Sequence, residues 1–140
     1  MLKRNVLLLV LTLSLATSAA VAQTTQVKNK EPVSNGRTLT QWIGDLKALA
    51  PQSRNAAAYE IAGMGPDAVR AVPALIEALD DPNPVVRFPV TVALGEIGPG
   101  AKAAVPRLQQ MVEEEINDEI AASARRALKH IDPAAVPPSD

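Results

Sequence analysis

The 140-residue sequence contains no cysteine. Disulfide cross-links, thiol catalysis, thiolate metal sites and lipid attachment through cysteine are therefore excluded, and the fold rests on packing alone. Histidine occurs once, at His130. One imidazole is too few ligands for a metal, and catalysis needs a partner acid or base beside it, so His130 reads as a surface residue. No Gly-rich phosphate loop, nucleophile elbow or Ser/His/Asp set is present, which leaves covalent catalysis without a candidate. Surplus positive charge is missing as well. Removing Lys3 and Arg4 from 14 basic against 15 acidic side chains leaves a net charge of −3. That balance argues against general nucleic-acid binding, which runs on excess cations.

Long apolar runs are also scarce. The one at the start, Val6 to Ala16, follows Lys3 and Arg4 and precedes the small-residue site Ala20-Val21-Ala22. It falls short of the roughly 20 residues that span a bilayer and has the order of a secretory signal peptide. Residues 1–22 are therefore expected to be removed near Ala22-Gln23, leaving an exported protein (periplasmic or secreted) with no stable membrane insertion. Residues 23–37 hold little to bury and are expected to form a flexible linker. Residues 133–140, with three prolines, are expected to be an extended, disordered tail.

What the chain does have is a repeat. Ala71-Val72-Pro73-Ala74-Leu75 returns as Ala104-Val105-Pro106-Arg107-Leu108, and Met64-Gly65-Pro66 returns as Ile97-Gly98-Pro99, with every residue moved by 33 positions. A fixed period of this size marks a stacked array whose units cannot bury their apolar faces alone. Three units follow: 38–65, 66–98 and 99–132. In their first helices Leu39, Trp42, Ile43 and Leu46 match Val72, Leu75, Ile76 and Leu79, then Val105, Leu108, Gln109 and Val112, at a spacing that makes one helical stripe. In their second helices Ser53, Ala57, Ile61 and Met64 match Val86, Val90, Leu94 and Ile97. The third set is Ile120, Ala124, Leu128 and Ile131, after one inserted residue near Glu113 to Ile116.

The punctuation agrees with these units. Thr38 with Gln41 is a capping-box pattern, and Asn83-Pro84 and Asn117 are N-cap signals. Gly65-Pro66 and Gly98-Pro99 end the second helices. Pro89 is expected to bend its helix or delay its start. Trp42 is a candidate for filling the N-terminal end of the stack.

These segments resemble HEAT repeats, most closely the short subtype found in phycobilin lyases and deoxyhypusine hydroxylase. The likeness is carried by Ala71 to Leu75, by Asp81-Pro82-Asn83-Pro84-Val85-Val86-Arg87 and by Ala93-Leu94-Gly95-Glu96-Ile97-Gly98-Pro99. It implies an all-α fold, a short right-handed α-solenoid of three HEAT-like helix pairs. It also implies a binding scaffold whose second helices line a concave side. The paired His-Glu motifs that hold iron in hydroxylases of this type have no counterpart here. Lys129 and Asp132 stand at glycine positions in the third unit, and Ala121 stands where Arg54 and Arg87 stand in the others, as befits a terminal unit.

The remaining candidates divide into local structure and surface. Asp80-Asp81-Pro82-Asn83 lacks the glycine turn and distal glutamate of a calcium loop and reads as a turn with a cap. Glu113-Glu114-Glu115 reads as a solvated face. Arg54 and Arg87, at one repeat slot, are expected to reach carbonyls or acids of the adjacent turn. An exposed column on the second helices is read as Asn55, Tyr59 and Ala62, then Phe88, Val92 and Gly95, then Ala122, Arg125, Arg126 and Lys129. Aromatics and arginines are enriched among interface anchors, so Tyr59, Phe88, Val92, Arg125, Arg126 and Lys129 are the expected partner-binding residues. The expected function is a non-enzymatic protein-interaction scaffold outside the cytoplasm, with no cofactor and a protein partner. An accessory factor of the chromophore-lyase kind and a self-associating structural unit are the alternatives.

Overall fold

In a computed structural model of the chain, residues 30–138 are described. The expected signal peptide and residues 23–29 of the expected linker lie outside them. The compact unit begins at Pro32. It comprises β1 (Val33–Ser34), β2 (Arg37–Thr38), α1 (Leu39–Asp45), α2 (Pro51–Met64), α3 (Val72–Ala78), α4 (Pro84–Ile97), α5 (Val105–Glu114) and α6 (Asp118–Ile131). Segments of 3-10 helix, Gly65–Ala71 and Gly98–Ala104, run into α3 and α5, and a third, Pro133–Ala135, follows α6. Three helix pairs therefore follow one another, and the fold is all-α apart from one short hairpin.

The termini form where the local chemistry directs. Thr38 accepts from the Gln41 N–H while its own N–H donates to the Gln41 side chain, completing the capping box. Asn83 accepts from Val85 N–H, and Asn117 from Glu119 and Ile120 N–H. Gly65 and Gly98 close α2 and α4 at φ +55° and +70°, a region that side chains with a Cβ resist. Pro73 and Pro106 sit at the second positions of α3 and α5, where no intrahelical N–H is needed. The inserted residue of the third unit is absorbed by α5, which has 10 residues against 7 in α3.

Both stripes converge on one core. Leu39, Leu75, Leu79 and Leu108 from the first helices, and Ile61, Val86, Val90, Leu94, Ala124 and Leu128 from the second, are completely buried. Several positions differ from expectation: Ser53 is exposed, Met111 is buried while Val112 is half-buried, and Ile43, Ile76 and Gln109, with Met64 and Val105, are half-buried. Successive second helices pack directly on each other, α2 on α4 and α4 on α6, whereas the first helices reach neighbouring units mainly through the 3-10 segments. Small residues permit that closeness. A Cβ built on Gly95 would lie 3.2 Å from the Ala127 Cα. Beside it Thr91 Oγ1 lies 2.6 Å from Ser123 Oγ and 2.7 Å from the Phe88 carbonyl, so a buried hydroxyl pair joins α4 to α6.

Pro89 does not delay its helix: α4 starts at Pro84 and continues to Ile97 with the proline buried inside it. A proline there has no N–H for the Val85 carbonyl one turn earlier. Asn55 of the preceding unit supplies the missing donor, its Nδ2 lying 2.6 Å from the Val85 O. A neighbouring unit thus repairs the hydrogen bond that the sequence removes.

Two flanking segments expected to be loose are part of the fold. Within the expected linker, β1 and β2 pair antiparallel around Asn35-Gly36, both at positive φ, as a two-residue hairpin turn requires. The hairpin is anchored by Leu39 N–H on the Pro32 carbonyl, by Trp42 Nε1–H on the Ser34 carbonyl and by Ser34 Oγ on Glu60. Arg37 lies over the Trp42 ring, 4.3 Å from its centre, and pairs with Asp45. Trp42 is 7% exposed, so it fills the N-terminal end as expected. At the other end the expected disordered tail docks. Gln109 donates to the Ala135 carbonyl, Arg125 donates to that of Pro137 at 2.6 Å, and Ala135 and Val136 pack on the core. Dangling apolar ends are the cost of a short array; here the hairpin covers one end and the tail packs over part of the other.

Candidate functional site

The intra-unit loops carry a ladder of ion pairs that settles which charges are structural. Arg54 grips Asp81 of the next unit through two bonds, at 2.5 and 3.0 Å, and donates to the carbonyls of Ala48 and Leu49. One unit on, Arg87 grips Glu115 at 2.9 and 3.0 Å and donates to the carbonyl of Asp81. Asp81 and Glu115 each also accept from the N–H of the asparagine two residues later. The side-chain bond from Arg54 is the main reason that the Asp81 carboxyl sits below its usual range, and the bond from Arg87 does the same for Glu115. Partial burial opposes both shifts, while the asparagine N–H groups and nearby arginine charges reinforce them. Arg54 is shifted upward by the same contact. Asp80 pairs with Arg107, so both aspartates of the loop are engaged by arginines in a turn and cap. Glu115 does not belong to a solvated face. Its side chain is 10% exposed, and only Glu113 and Glu114 of that run point outward.

The expected partner-binding residues fall on two surfaces rather than one. Tyr59, 49% exposed, and half-buried Phe88 share a groove with Asn55, Val85 and Ile120. Val92 and Arg126 share the next groove, between α4 and α6, with Glu96 and His130. Tyr59, Val92 and Arg126 occupy one repeat slot, so they form a row across the second helices. Because these helices approach each other more closely than the first helices do, this row is the inner edge of any curvature in the stack.

Arg125 and Lys129 lie elsewhere. Ala127 and Ser123 face α4, and residues two positions from Ala127 on a helix point roughly half a turn away from it. Arg125 and Lys129 therefore face the C-terminal end of the stack. Ala58 and Thr91 occupy the Arg125 slot in the earlier units, and Ala62 and Gly95 the Lys129 slot; all four are buried. This corrects the expectation that Ala62 and Gly95 belong to an exposed column. They are inter-unit contacts, and the same slots open to solvent only in α6, where cations replace small residues.

The matched pairs of helices, the glycine-proline joints and the arginine ladder recur at the same slots in each unit where a neighbour exists. A family model described as HEAT repeats matches residues 39–129, all three helix pairs. The chain belongs to the HEAT-repeat family. Among curated proteins and among solved structures, none matches it. HEAT repeats commonly mediate protein–protein interaction and are typically non-enzymatic scaffolds. Among the described residues, no group of three His, Asp or Glu side chains is placed to hold a metal, and no helix is long and apolar enough to cross a membrane.

One feature of the HEAT loops escaped sequence reasoning. Leu49, Pro82 and Ile116 share a slot at the loop tips, with Leu49 and Ile116 almost fully exposed. The arginine ladder fixes the backbone beneath them. Their common position two residues before Pro51, Pro84 and Asp118 is the signal that identifies them.

Proposed function

We propose that this HEAT protein is a non-enzymatic binding module that holds a protein partner on its second-helix row, outside the cytoplasm. The observation that carries the reading is the juxtaposition of exposed Tyr59 with Phe88 in one groove, continued by Val92 and Arg126 in the next. An amphipathic aromatic beside an apolar wall, with a cation at the flank, has the composition of an interface centre. The titratable groups lining these two grooves, Tyr59, Glu96, Glu119, Arg126 and His130, are all exposed, which fits recognition better than proton transfer. Export rests on the order of Lys3 and Arg4, the apolar run and Ala20-Val21-Ala22, with cleavage near Ala22-Gln23. Within the family, we assign the chain to the short subtype similar to phycobilin lyases, on its Ala-Val-Pro and Leu-Gly-Glu-Ile-Gly-Pro segments, without a pigment.

Affinity capture from periplasmic and extracellular extracts tests the reading. The native chain is expected to retain a protein that a Tyr59→Ser, Phe88→Ser variant of unchanged helicity does not. Retention of the same protein by both would remove the row from consideration. Intact-mass analysis of the protein recovered outside the cytoplasm should give a chain beginning at Gln23, and recovery only from the cytoplasm would contradict export.

A further inference from the structure

The C-terminal end of the stack carries a second surface. In the first two units, the outer side of the second helix is covered by the helix that follows: α4 covers α2, and α6 covers α4. At the corresponding end of α6 lies a groove of about 810 Å³, lined by Val112 and Ala121 and by Val136 and Pro137 of the docked tail. Ala122, Arg125, Arg126 and Lys129 run along its floor at i, i+3, i+4 and i+7, one stripe of a helix.

The charge here is unbalanced. Arg37, Lys47, Arg54, Arg87, Lys102 and Arg107 all have acidic partners. Among the described residues, Arg125 is bonded only to the Pro137 carbonyl, and neither Arg126 nor Lys129 has an acidic partner. Glu113 lines the rim near Arg125 without pairing with it, and Asp132 is engaged by Lys102 and the Ala134 N–H. Arg125 and Lys129 thus stand beside Arg126 among apolar lining residues, in slots where the architecture elsewhere seats a helix.

We propose that this groove binds an amphipathic helix of a partner protein that presents two acidic residues one turn apart, to Arg125 and Lys129, with small apolar residues beside them against Val112 and Ala121. The proposal rests on the reading of the protein as a protein-binding module and gives that module a specific partner chemistry. Helix-in-groove recognition lays one face of an amphipathic helix, read at i, i+3, i+4 and i+7, into a groove with apolar lining. The cations set the sign of the partner and the walls favour a helix over a bare polyanion. They also keep the end from accepting another copy in the manner of Gly95 on Ala127, because long charged side chains occupy the slots where that contact needs small ones.

Fluorescence anisotropy with the full chain tests this. The probe is a labelled alanine-leucine helical peptide with glutamate at every fourth position. Controls are the peptide with lysine for each glutamate, a scramble that spreads the glutamates around the helix, and vesicles rich in anionic lipid. The expected result is saturable binding of the acidic-face peptide alone, weakened at least about tenfold by Arg125→Glu with Lys129→Glu. Ala122→Trp, which fills the exposed floor and keeps the charge, is expected to weaken it comparably, and Lys129→Glu alone to weaken it less. Equal binding of the scramble, indifference to both Lys129→Glu and Ala122→Trp, or a preference for the vesicles would each overturn the proposal. Tyr59→Ser, Phe88→Ser should leave peptide binding unchanged. If peptide binding is absent while that variant still abolishes partner capture, the end groove fails and the second-helix row stands.

Discussion

The rung between Arg87 and Glu115 gives the sharpest energetic prediction. The pair is bidentate at 2.9 and 3.0 Å, with side chains 18% and 10% exposed. Exposed ion pairs contribute about 0.2–1 kcal/mol, whereas breaking a fully buried pair costs about 3–5 kcal/mol. A hydrogen bond to a charged group contributes roughly 1.5–3 kcal/mol net of the bonds to water that it replaces. This geometry lies between those limits and leads to a coupling energy of about 2 kcal/mol. The perturbation is a double-mutant cycle of Arg87→Met and Glu115→Gln, which keeps side-chain length while removing charge. Urea unfolding of the four proteins measures it, with thermal midpoints as a check. For a domain of about a hundred residues each kcal/mol moves the midpoint by roughly 4–8 °C. The double variant should be more stable than the sum of the singles predicts by the coupling energy. Strict additivity, with coupling below about 0.5 kcal/mol, would refute the claim that the ladder fixes unit on unit.

Three further outcomes follow from the same geometry. Asp81 and Glu115 titrate below their ordinary range in the fold, so their stabilisation is complete above the unfolded carboxylate pKa, about 4, and is lost as pH falls through the depressed values. Acid unfolding of Asp81→Asn, Glu115→Gln should accordingly be less steep below pH 4, and an unchanged acid limb would count against the ladder. Gly98→Ala places a Cβ at φ +70° and should cost about 1–3 kcal/mol by urea unfolding, whereas Gly44→Ala, in α1 with open space around it, should be neutral or stabilising. Asn55→Ala withdraws the donor from the Val85 carbonyl and should cost about 1 kcal/mol; in a Pro89→Ala background, where the helix supplies its own N–H, that cost should shrink toward zero.

The parts of the fold legible in the sequence are those fixed by local chemistry or by the repeat itself. Helix caps at Thr38, Asn83 and Asn117 depend on a few adjacent residues, and the apolar stripes depend only on helical spacing. Other parts depend on what lies across from them. Asn35-Gly36 between Val33 and Arg37 is a hairpin signal, but composition over 23–37 masks it, and that hairpin is seated by Leu39, Trp42 and Glu60. The tail has prolines and little charge, features silent about its bonds to Gln109 and Arg125. Glu115 looks like its two neighbours in the run. Its equivalence to Asp81 emerges from the asparagine two residues after each.

The candidate site shows the same division. Tyr59, Val92 and Arg126 share a slot that lines a groove in each unit, so alignment alone places them in one row. The Arg125 and Lys129 slots are open only where no following unit covers them. One unit's periodicity therefore assigns Ala62 and Gly95 to the surface when they form the contact between helices. Pro89 illustrates the limit from the other side: its effect on α4 depends on Asn55, an unremarkable polar residue 34 positions earlier.

The central claim is that a three-pair HEAT stack presents its second-helix row to a protein. The most direct test is amide hydrogen exchange of the full chain with and without the protein it retains on affinity capture. Added protection should concentrate on α2, α4 and α6 around Tyr59, Phe88, Val92 and Arg126. Protection confined to α1, α3 and α5, or to the loop tips at Leu49 and Ile116, would contradict it.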